Sequence, residues 1–278
     1  MARVILCPTY REKTIMRLVR LALTLLAVLA SSSAFAKMVA KPVDYSIDGT
    51  TFKNFLVYDD ATQAKRPGLV MVPNWYGIND IAIAKAKRIA GKDYVILLTD
   101  MYGENVRPKG DDDAKAAVAP LYHDRNLMRQ RINKAFDQLK AEAAHVPIDP
   151  SRLAAIGFCF GGAAVLDLAR SGADAKAVVA FHGDLGTDDP TLASKIKARV
   201  LAMNGSDDAF TMPQVPQFTE EMKHDPSDWQ FVELGHVVHC FTETEATAKT
   251  GNCRYDAKAA ARSYRMMRDW LNESFGSE

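Results

Sequence analysis

The sequence predicts an α/β fold with a mostly parallel central sheet of about eight strands and helices on both faces. Two patterns indicate this architecture. Short, continuously apolar segments recur along the chain after residue 37, and such segments are typical of strands that are buried on both faces. Between them lie longer segments with apolar residues at helical spacing. Apolar strands that alternate with amphipathic helices favour a parallel sheet covered on both sides.

The predicted elements begin with a hairpin formed by VDYSID (43–48) and FKNFLVYD (52–59), which flank Gly49 and Thr50. Six further strands are predicted at 68–73, 94–100, 152–158, 177–183, 199–205 and 229–235. A helix is predicted after Asp124, with an apolar face of Met128, Ile132, Ala135, Phe136, Leu139 and Ala143. The last predicted helix has an apolar face of Ala260, Tyr264, Met267, Leu271 and Phe275.

Composition limits the class of protein. The chain has 278 residues, of which 48% are hydrophobic and 25% charged, so it can bury a sizeable core within one large domain. The formal net charge is +1 and the basic residues are scattered among acidic ones. We therefore expect no nucleic-acid partner, because no basic face is long enough to follow a phosphate backbone.

The first 36 residues have the pattern of a secretory signal. Basic residues precede the apolar run LALTLLAVLA (21–30), and Ala34-Phe35-Ala36 matches an A-x-A cleavage site. The run is about half the ~20 residues that span a bilayer, although a retained anchor stays an alternative. The first segment is long, so Met16 is a second candidate start. We expect cleavage after Ala36, one mature domain over residues 37–278, and export to a bacterial periplasm or beyond.

Export changes the interpretation of the cysteines. Cys7 leaves with the signal, so the mature chain keeps Cys159, Cys240 and Cys253, an odd number for an oxidising compartment. Cys240 and Cys253 are close in sequence and could close a short loop, leaving Cys159 free. The alternative, in which all three thiols stay reduced and packed, remains open because spacing alone does not fix disulfide connectivity.

A candidate nucleophile lies in the stretch GFCFG (157–161), which ends a predicted strand and opens a predicted helix. This is the context of a G-x-S-x-G nucleophile elbow, here with Cys159 in place of serine. The glycines would allow a tight turn, and the helix N-terminus would favour a thiolate. A packed core cysteine is the alternative.

A thiol nucleophile needs a base and an acid that orients the base. In this kind of fold both follow the nucleophile in chain order, on loops after later strands. Asp207 and Asp208 follow the strand at 199–205, and His236 and His239 follow the strand at 229–235. Spacing does not choose within either pair. His182 also follows a strand, but it precedes the acid, so we expect it to form an active-site wall.

The motifs GFCFGG, TDMYG, NGSDDAF and HCFTETEA, with the final YDAKAAARSYRMMRDWL, resemble the dienelactone hydrolase family of α/β-hydrolases. The resemblance covers nearly the whole mature chain and implies an α/β-hydrolase fold. Position by position, it implies Cys159 as nucleophile, Asp208 as acid and His239 as base. It also implies an oxyanion hole formed by the backbone N–H groups of Phe160 and Trp75.

The chain departs from this family at residues expected to line the substrate pocket. Asn74 stands where dienelactone hydrolases have a glutamate. Near Tyr102, and after the histidine, Glu104 and Glu243 stand where the family has arginines that hold the substrate carboxylate. Glutamates would repel such a ligand, so dienelactone itself is not expected as substrate unless Arg107 enters the pocket.

The sequence therefore predicts an exported hydrolase of small esters or lactones that acts through a Cys-Asp-His triad and a thioester acyl-enzyme. No metal or organic cofactor is expected, because the H-x-x-H pair at 236 and 239 lacks the H-E-x-x-H pattern and a third ligand. The expected partner is a small-molecule substrate, with no membrane contact after cleavage. Two other classes stay open: a thiol redox or peroxide-handling protein, and a catalytically silent binding protein. The sequence leaves the substrate, pathway and oligomeric state unknown.

Overall fold

The computed structural model describes residues 38–276 and contains an eight-stranded sheet with helices on both faces, which confirms the predicted architecture. The strands are β1 (Met38–Ile47), β2 (Thr50–Asp59), β3 (Arg66–Val72), β4 (Val95–Leu98), β5 (Ile148–Phe158), β6 (Ala177–Phe181), β7 (Arg199–Gly205) and β8 (Trp229–Leu234). Their order across the sheet is β1-β2-β4-β3-β5-β6-β7-β8. The first two form the predicted hairpin, and β2 runs antiparallel to β4. All other pairs are parallel.

Six α-helices cover the sheet over the described residues: α1 (Asp80–Ala90), α2 (Asp111–His123), α3 (Arg125–Glu142), α4 (Phe160–Arg170), α5 (Val215–Met222) and α6 (Ala257–Ser274). Side chains of α1 and α6 pack on one face of the sheet, and those of α2, α3, α4 and α5 pack on the other. The central strands therefore bury both faces, which explains their uninterrupted apolar sequences.

Short polar side chains set where three of these helices begin. The side chain of Asn79 accepts the N–H of Ala82 at the start of α1, and Asp124 accepts two N–H groups at the start of α3. The side chain of Asp256 accepts the N–H of Ala259 at the start of α6. Each of these N-caps satisfies backbone donors that have no partner within the helix.

The predicted signal segment, its cleavage site after Ala36, Met16 and Cys7 all lie outside the described residues. Between residues 38 and 276, no helix is both long enough and apolar enough to cross a membrane.

The parallel strands end on the same edge of the sheet, and the candidate functional residues all follow these ends. Cys159 lies between β5 and α4, Asp208 follows β7, and His239 follows β8. Asn74 and Trp75 follow β3. The fold thus gathers residues that are far apart in sequence at the carboxyl edge of the sheet, where open α/β sheets bind their ligands.

Candidate active site

The turn that carries Cys159 is held by close backbone packing. A Cβ on Gly157 would lie 1.9 Å from the oxygen of Gly161, and one on Gly161 would lie 2.2 Å from the oxygen of Val72. Only glycine fits at either position. Cys159 has a φ of 53°, a left-handed conformation that is costly for a residue with a side chain. The elbow therefore carries backbone strain at the candidate nucleophile.

Cys159, His239 and Asp208 form a hydrogen-bonded chain. His239 Nε2 lies 3.1 Å from Cys159 Sγ, and His239 Nδ1 lies 2.7 Å from Asp208 Oδ2. Asp208 and His239 are buried, and Cys159 is partly exposed to the cavity described below. The geometry is that of a nucleophile, a base and an orienting acid.

Asp208 is fixed by neighbours as well as by His239. Its Oδ2 also accepts the hydroxyl of Thr211 at 2.7 Å. Its Oδ1 accepts the N–H of Phe210 at 2.9 Å and the amide of Asn252 at 3.1 Å. These bonds hold the carboxylate in one orientation toward the imidazole.

The structure places Asp207 and His236, the alternatives for the acid and the base, outside this set of hydrogen bonds. Asp207 is exposed and accepts the hydroxyl of Ser206 at 2.8 Å. His236 is exposed, and its N–H donates to Ser206 Oγ at 2.8 Å. Spacing left Asp207 or Asp208, and His236 or His239, as alternatives. The structure brings Asp208 and His239 to the thiol.

The charges of the three residues support one another. Burial alone raises the pKa of Cys159, but the charge and hydrogen bond of His239, together with the nearby His182, outweigh it and lower that pKa to about 6. Burial alone lowers the pKa of His239, yet the thiolate and Asp208 raise it to about 10. Burial raises the pKa of Asp208, but hydrogen bonds led by that from His239 lower it to about 2. Near neutral pH the site therefore holds a thiolate, an imidazolium and a carboxylate.

A cavity of about 510 Å³ opens over Cys159 and His239. Five aromatic residues contribute to its walls: Trp75, Tyr76, Tyr122, Phe160 and Phe210. Phe160 is the first residue of α4, so its N–H has no acceptor within the helix. Trp75 lines the same cavity. Both predicted oxyanion-hole residues thus reach the space in front of the thiol.

A buried ion pair lies beside the cavity. Lys85 of α1 approaches Glu243 with Nζ and Oε1 at 2.6 Å, and both side chains are buried. Asn74 donates to the other oxygen of Glu243 at 2.8 Å. Burial alone raises the pKa of Glu243, but the charge of Lys85 holds it well below its ordinary value. Glu243 is therefore an ionised carboxylate whose charge is compensated by Lys85, whereas the sequence predicted an unpaired charge in the pocket.

Three residues predicted to line the substrate pocket lie elsewhere. Tyr102 is buried, and its hydroxyl donates to the carbonyl of Trp75 at 2.9 Å. Glu104 lies 3.1 Å from Lys53 in an ion pair outside the cavity, because the loop after β4 folds toward β2. His182 is fully buried behind the base, with ring centroids 5.0 Å apart for His182 and His239.

Arg107 does not enter the cavity either. Its guanidinium donates to Asp100 at 2.9 Å and to the carbonyl of Gly103 at 2.7 Å. These bonds hold it in the loop after β4, away from the thiol. Of the predicted substrate residues, Asn74 and Glu243 do line the cavity.

Cys240 and Cys253 form a disulfide, with their Cα atoms 4.9 Å apart, and Cys159 is the free thiol of the described residues. Both bridged residues line the cavity. The bridge closes the short loop that begins directly after His239.

Sequence reasoning missed several residues of the site. Lys85 occupies the apolar face of α1, next to Ala82, Ala86 and Ile89 in the buried set, and a lysine on an apolar face is a signal for a buried carboxylate partner. No sequence signal marked Thr211 and Asn252, which bond Asp208, or Asp184, which lines the cavity. Their places in the site depend on how the loops fold.

Comparison with known proteins gives consistent results. The sequence profile described as the Dienelactone hydrolase family matches residues 53–275. A crystal structure of a dienelactone hydrolase-like promiscuous phosphotriesterase from metagenomic libraries is 36% identical, with a TM-score of 0.77, over 85% of this chain and 98% of that chain.

Two curated proteins are also similar to this chain. The uncharacterized protein K02A2.1 of Caenorhabditis elegans is 34% identical over 163 residues, which are 55% of this chain and 98% of that protein. A protein of Methylorubrum extorquens provisionally named carboxymethylenebutenolidase is 23% identical over 228 residues, which are 74% of this chain and 72% of that protein.

Proposed function

The chain belongs to the dienelactone hydrolase family, whose members act on ester and lactone bonds, and on that premise we propose that it cleaves a small carboxylic ester or lactone through a thioester on Cys159. One observation carries the proposal. The partly exposed sulfur of Cys159 lies 3.1 Å from the imidazole of His239, whose other nitrogen is held by a buried carboxylate. This chain of groups opens onto a cavity with aromatic walls.

In the acylation step, the thiolate of Cys159 attacks the carbonyl carbon and the carbonyl electron pair moves onto oxygen. The N–H groups of Phe160 and Trp75 would stabilise that oxyanion. When the intermediate collapses, the carbon–oxygen bond of the ester breaks and the leaving alkoxide takes the proton from His239 Nε2. The products are an alcohol and a thioester, and His239 is now neutral.

In the deacylation step, neutral His239 takes a proton from water as the water oxygen attacks the thioester carbonyl. The same two N–H groups would hold the second oxyanion. Its collapse breaks the carbon–sulfur bond and releases the carboxylic acid. Sulfur leaves as thiolate beside the protonated imidazole, which restores the resting ion pair.

The test of this proposal is a screen of small neutral esters and lactones on purified residues 37–278. Cys159→Ala, His239→Ala and Asp208→Asn should each lower kcat by about 10³-fold or more, because the three residues act as a unit. Rapid quenching at low pH should recover the acyl group on the peptide that contains Cys159.

His236→Ala is the matched control, since this exposed histidine lies three residues before the base in the same loop and its backbone N–H, not its ring, donates to Ser206. It should keep most of the activity. An inactive His236→Ala with an active His239→Ala would reassign the base. Peroxide consumption without ester turnover would favour the redox class, and neither activity would favour a silent binding protein.

A phosphotriester is a second candidate substrate. The structural relative that is 36% identical is described as a promiscuous phosphotriesterase, and the aromatic cavity would accept an uncharged triester. The screen should therefore include one aryl dialkyl phosphate. Turnover of that phosphate that survives Cys159→Ala would contradict use of the same nucleophile.

We also propose export. The basic and apolar pattern of the first 36 residues supports a cleaved signal, and a disulfide between Cys240 and Cys253 suits an oxidising compartment. The mature protein should begin at Lys37 when it is recovered from the periplasm of a bacterial host and sequenced from its N-terminus. Recovery of the uncleaved chain in the cytoplasm would contradict export.

A further inference from the structure

The disulfide loop, residues 240–253, touches two members of the catalytic chain. It begins directly after His239 and ends two residues before Tyr255. Cys253 is exposed, so a reductant in solution can reach the bridge. Residues at both ends of the loop line the cavity, which places the bridge beside the reacting groups.

Backbone contacts next to the disulfide hold the backbone of His239 in place. Residues His239 and Cys253 pair side by side as an isolated parallel β-bridge, and the N–H of Arg254 donates to the carbonyl of His239 at 3.0 Å. Cys240 itself has a φ of 64°. That left-handed conformation is costly for cysteine and persists only while its surroundings enforce it.

The same loop holds the acid through Asn252, which directly precedes Cys253. The amide nitrogen of Asn252 donates to Asp208 Oδ1 at 3.1 Å, and its oxygen accepts the N–H of Ala209 at 2.9 Å. Asn252 thereby bonds both the side chain of the acid and the backbone that follows it. A hydrogen bond to an ionised acceptor is stronger than one between neutral groups.

We propose that Asn252 is a positioning residue for Asp208 and that the Cys240–Cys253 disulfide keeps it in place, so that full catalytic activity depends on the oxidised bridge. A dithiol would convert the bridge into two cysteine thiols and itself form a disulfide. The phosphine used in the test would do the same with one water and become a phosphine oxide, so atoms and electrons balance. The reduced loop would regain freedom at its C-terminal end. Asn252 would then leave Asp208, and His239 would lose a fixed orienting partner. The inference rests on the proposed hydrolytic function of the triad.

The experiment compares four states: wild type and Asn252→Ala, each with the bridge intact and each after reduction with a phosphine. Asn252→Ala should lower kcat about tenfold, the equivalent of one charge-assisted hydrogen bond, with a smaller change in KM. Reduction of the wild type should cause a similar loss that reoxidation reverses. Reduction of Asn252→Ala should add less than about threefold, because residues that act through one another are not additive.

Asn252→Asp tests whether Asn252 acts through the hydrogen bond that it donates to Asp208 or only through its shape. It has nearly the same shape as asparagine and keeps an acceptor for Ala209, but it replaces the donor with a second carboxylate beside Asp208. Two neighbouring carboxylates raise the pKa of the pair, so the acidic limb of the pH profile of kcat/KM should move to higher pH. A merely structural residue would shift the unfolding midpoint and leave this limb in place.

A readout that does not need an ester substrate keeps this inference separate from the proposed function. Cys240→Ser/Cys253→Ser lacks the bridge, and alkylation of its Cys159 by iodoacetamide near pH 7 should be slower than in wild type when followed by mass spectrometry. Should that variant fail to fold, the reduced wild type provides the same comparison through the peptide that contains Cys159.

The outcomes are distinct. Ester turnover by the oxidised protein that does not change on reduction, or losses from reduction and from Asn252→Ala that simply multiply, would overturn the inference and leave the proposed function intact. No ester turnover in the oxidised protein, combined with slower alkylation without the bridge, would overturn the proposed function and keep the positioning role.

Discussion

At the scale of single residues, the chemistry depends on how Cys159 is ionised. A free thiol titrates at about 8.5, whereas the imidazolium of His239 and its neighbours bring the pKa of Cys159 to about 6. The raised pKa of His239, about 10, is the other half of the same ion pair. Between these values the thiol of Cys159 is ionised without any substrate present.

We therefore predict that the alkylation rate of Cys159 by iodoacetamide rises with pH through a midpoint near 6. The proton leaves the thiol as the pH rises, so reactivity should be lost below that midpoint and not above it. Asn74→Glu adds a carboxylate beside Glu243 and close to the cavity, and should raise the pKa of the thiol and slow alkylation at pH 7. A midpoint at or above about 8.5 in both proteins would contradict the thiolate assignment.

At the scale of elements, the strand–turn–helix from β5 to α4 decides where the thiol lies. Helix α4 approaches β3 so closely that Gly161 meets the carbonyl of Val72, and Gly157 meets the carbonyl of Gly161. The close approach positions the N-terminus of α4 beside the sulfur, where its partial positive charge favours a thiolate.

Gly161→Ala is predicted to be among the most damaging single changes in the protein. Its Cβ would lie 2.2 Å from the carbonyl oxygen of Val72, so α4 must move away from the sheet. We expect poor folding, or a folded protein with a displaced elbow and little ester turnover. Gly110→Ala is the control, because a Cβ there meets nothing within 4 Å. Equal thermal stability and activity of the two variants would show that the elbow tolerates a side chain.

Helix α1 is fastened to the loop after β8 by the buried pair of Lys85 and Glu243. Lys85→Met should lower the free energy of unfolding by about 3–5 kcal/mol, because it leaves a buried carboxylate without its partner. Lys87→Met on the same helix is the matched control and should change it little. Denaturant titration of both variants measures the difference.

The same pair predicts a dependence of stability on pH. The pKa of Glu243 in the folded protein is well below its ordinary 4.5, so its contribution to stability is present above that ordinary value and is lost as the pH falls below it. Lys85→Met removes this contribution. The stability difference between wild type and Lys85→Met should therefore shrink as the pH falls below about 4.5.

At the scale of the whole molecule, a nearly neutral chain has a negatively charged active-site cavity. The formal net charge is +1, yet the described residues that line the cavity include Asp111, Asp184 and Glu245 and no lysine or arginine. The sequence located the repulsive charge at Glu104 and Glu243. Glu104 lies outside the cavity, and Glu243 is neutralised by Lys85.

We predict that neutral esters are hydrolysed with a higher kcat/KM than anionic esters of the same size. Like charges at the cavity disfavour binding of the anion, and added salt should narrow the gap because it screens exposed charges. Asp184→Asn should also narrow it. A preference for the anionic ester at low salt would contradict the charge reading of the cavity.

The sequence by itself determined the architecture and the edge of the sheet at which the candidate site lies. The central strands coincide with predicted apolar segments, because strands buried on both faces must be apolar along their length. The edge strands β1 and β8 are only partly buried and carry polar residues. Loops after parallel strands predicted that Cys159, an aspartate and a histidine meet at one edge of the sheet, but the choice of Asp208 and His239 came from the resemblance to the family. Local patterns of this kind depend on residues close together in the chain, so they can be read without coordinates.

Only the tertiary structure decided which charged residues line the cavity and which residues hold Asp208 and His239 in place. Lys85 and Glu243 are 158 residues apart, and Asn252 and Asp208 are 44 apart. No local pattern specifies such contacts, since they form only when a helix or loop from one part of the chain packs against a loop from another part. Glu104 is a second example. The sequence correctly placed it after β4, but the loop directs it toward Lys53 and not into the cavity. Patterns along the chain locate the strands and the loops that follow them, but tertiary packing decides which side chains meet.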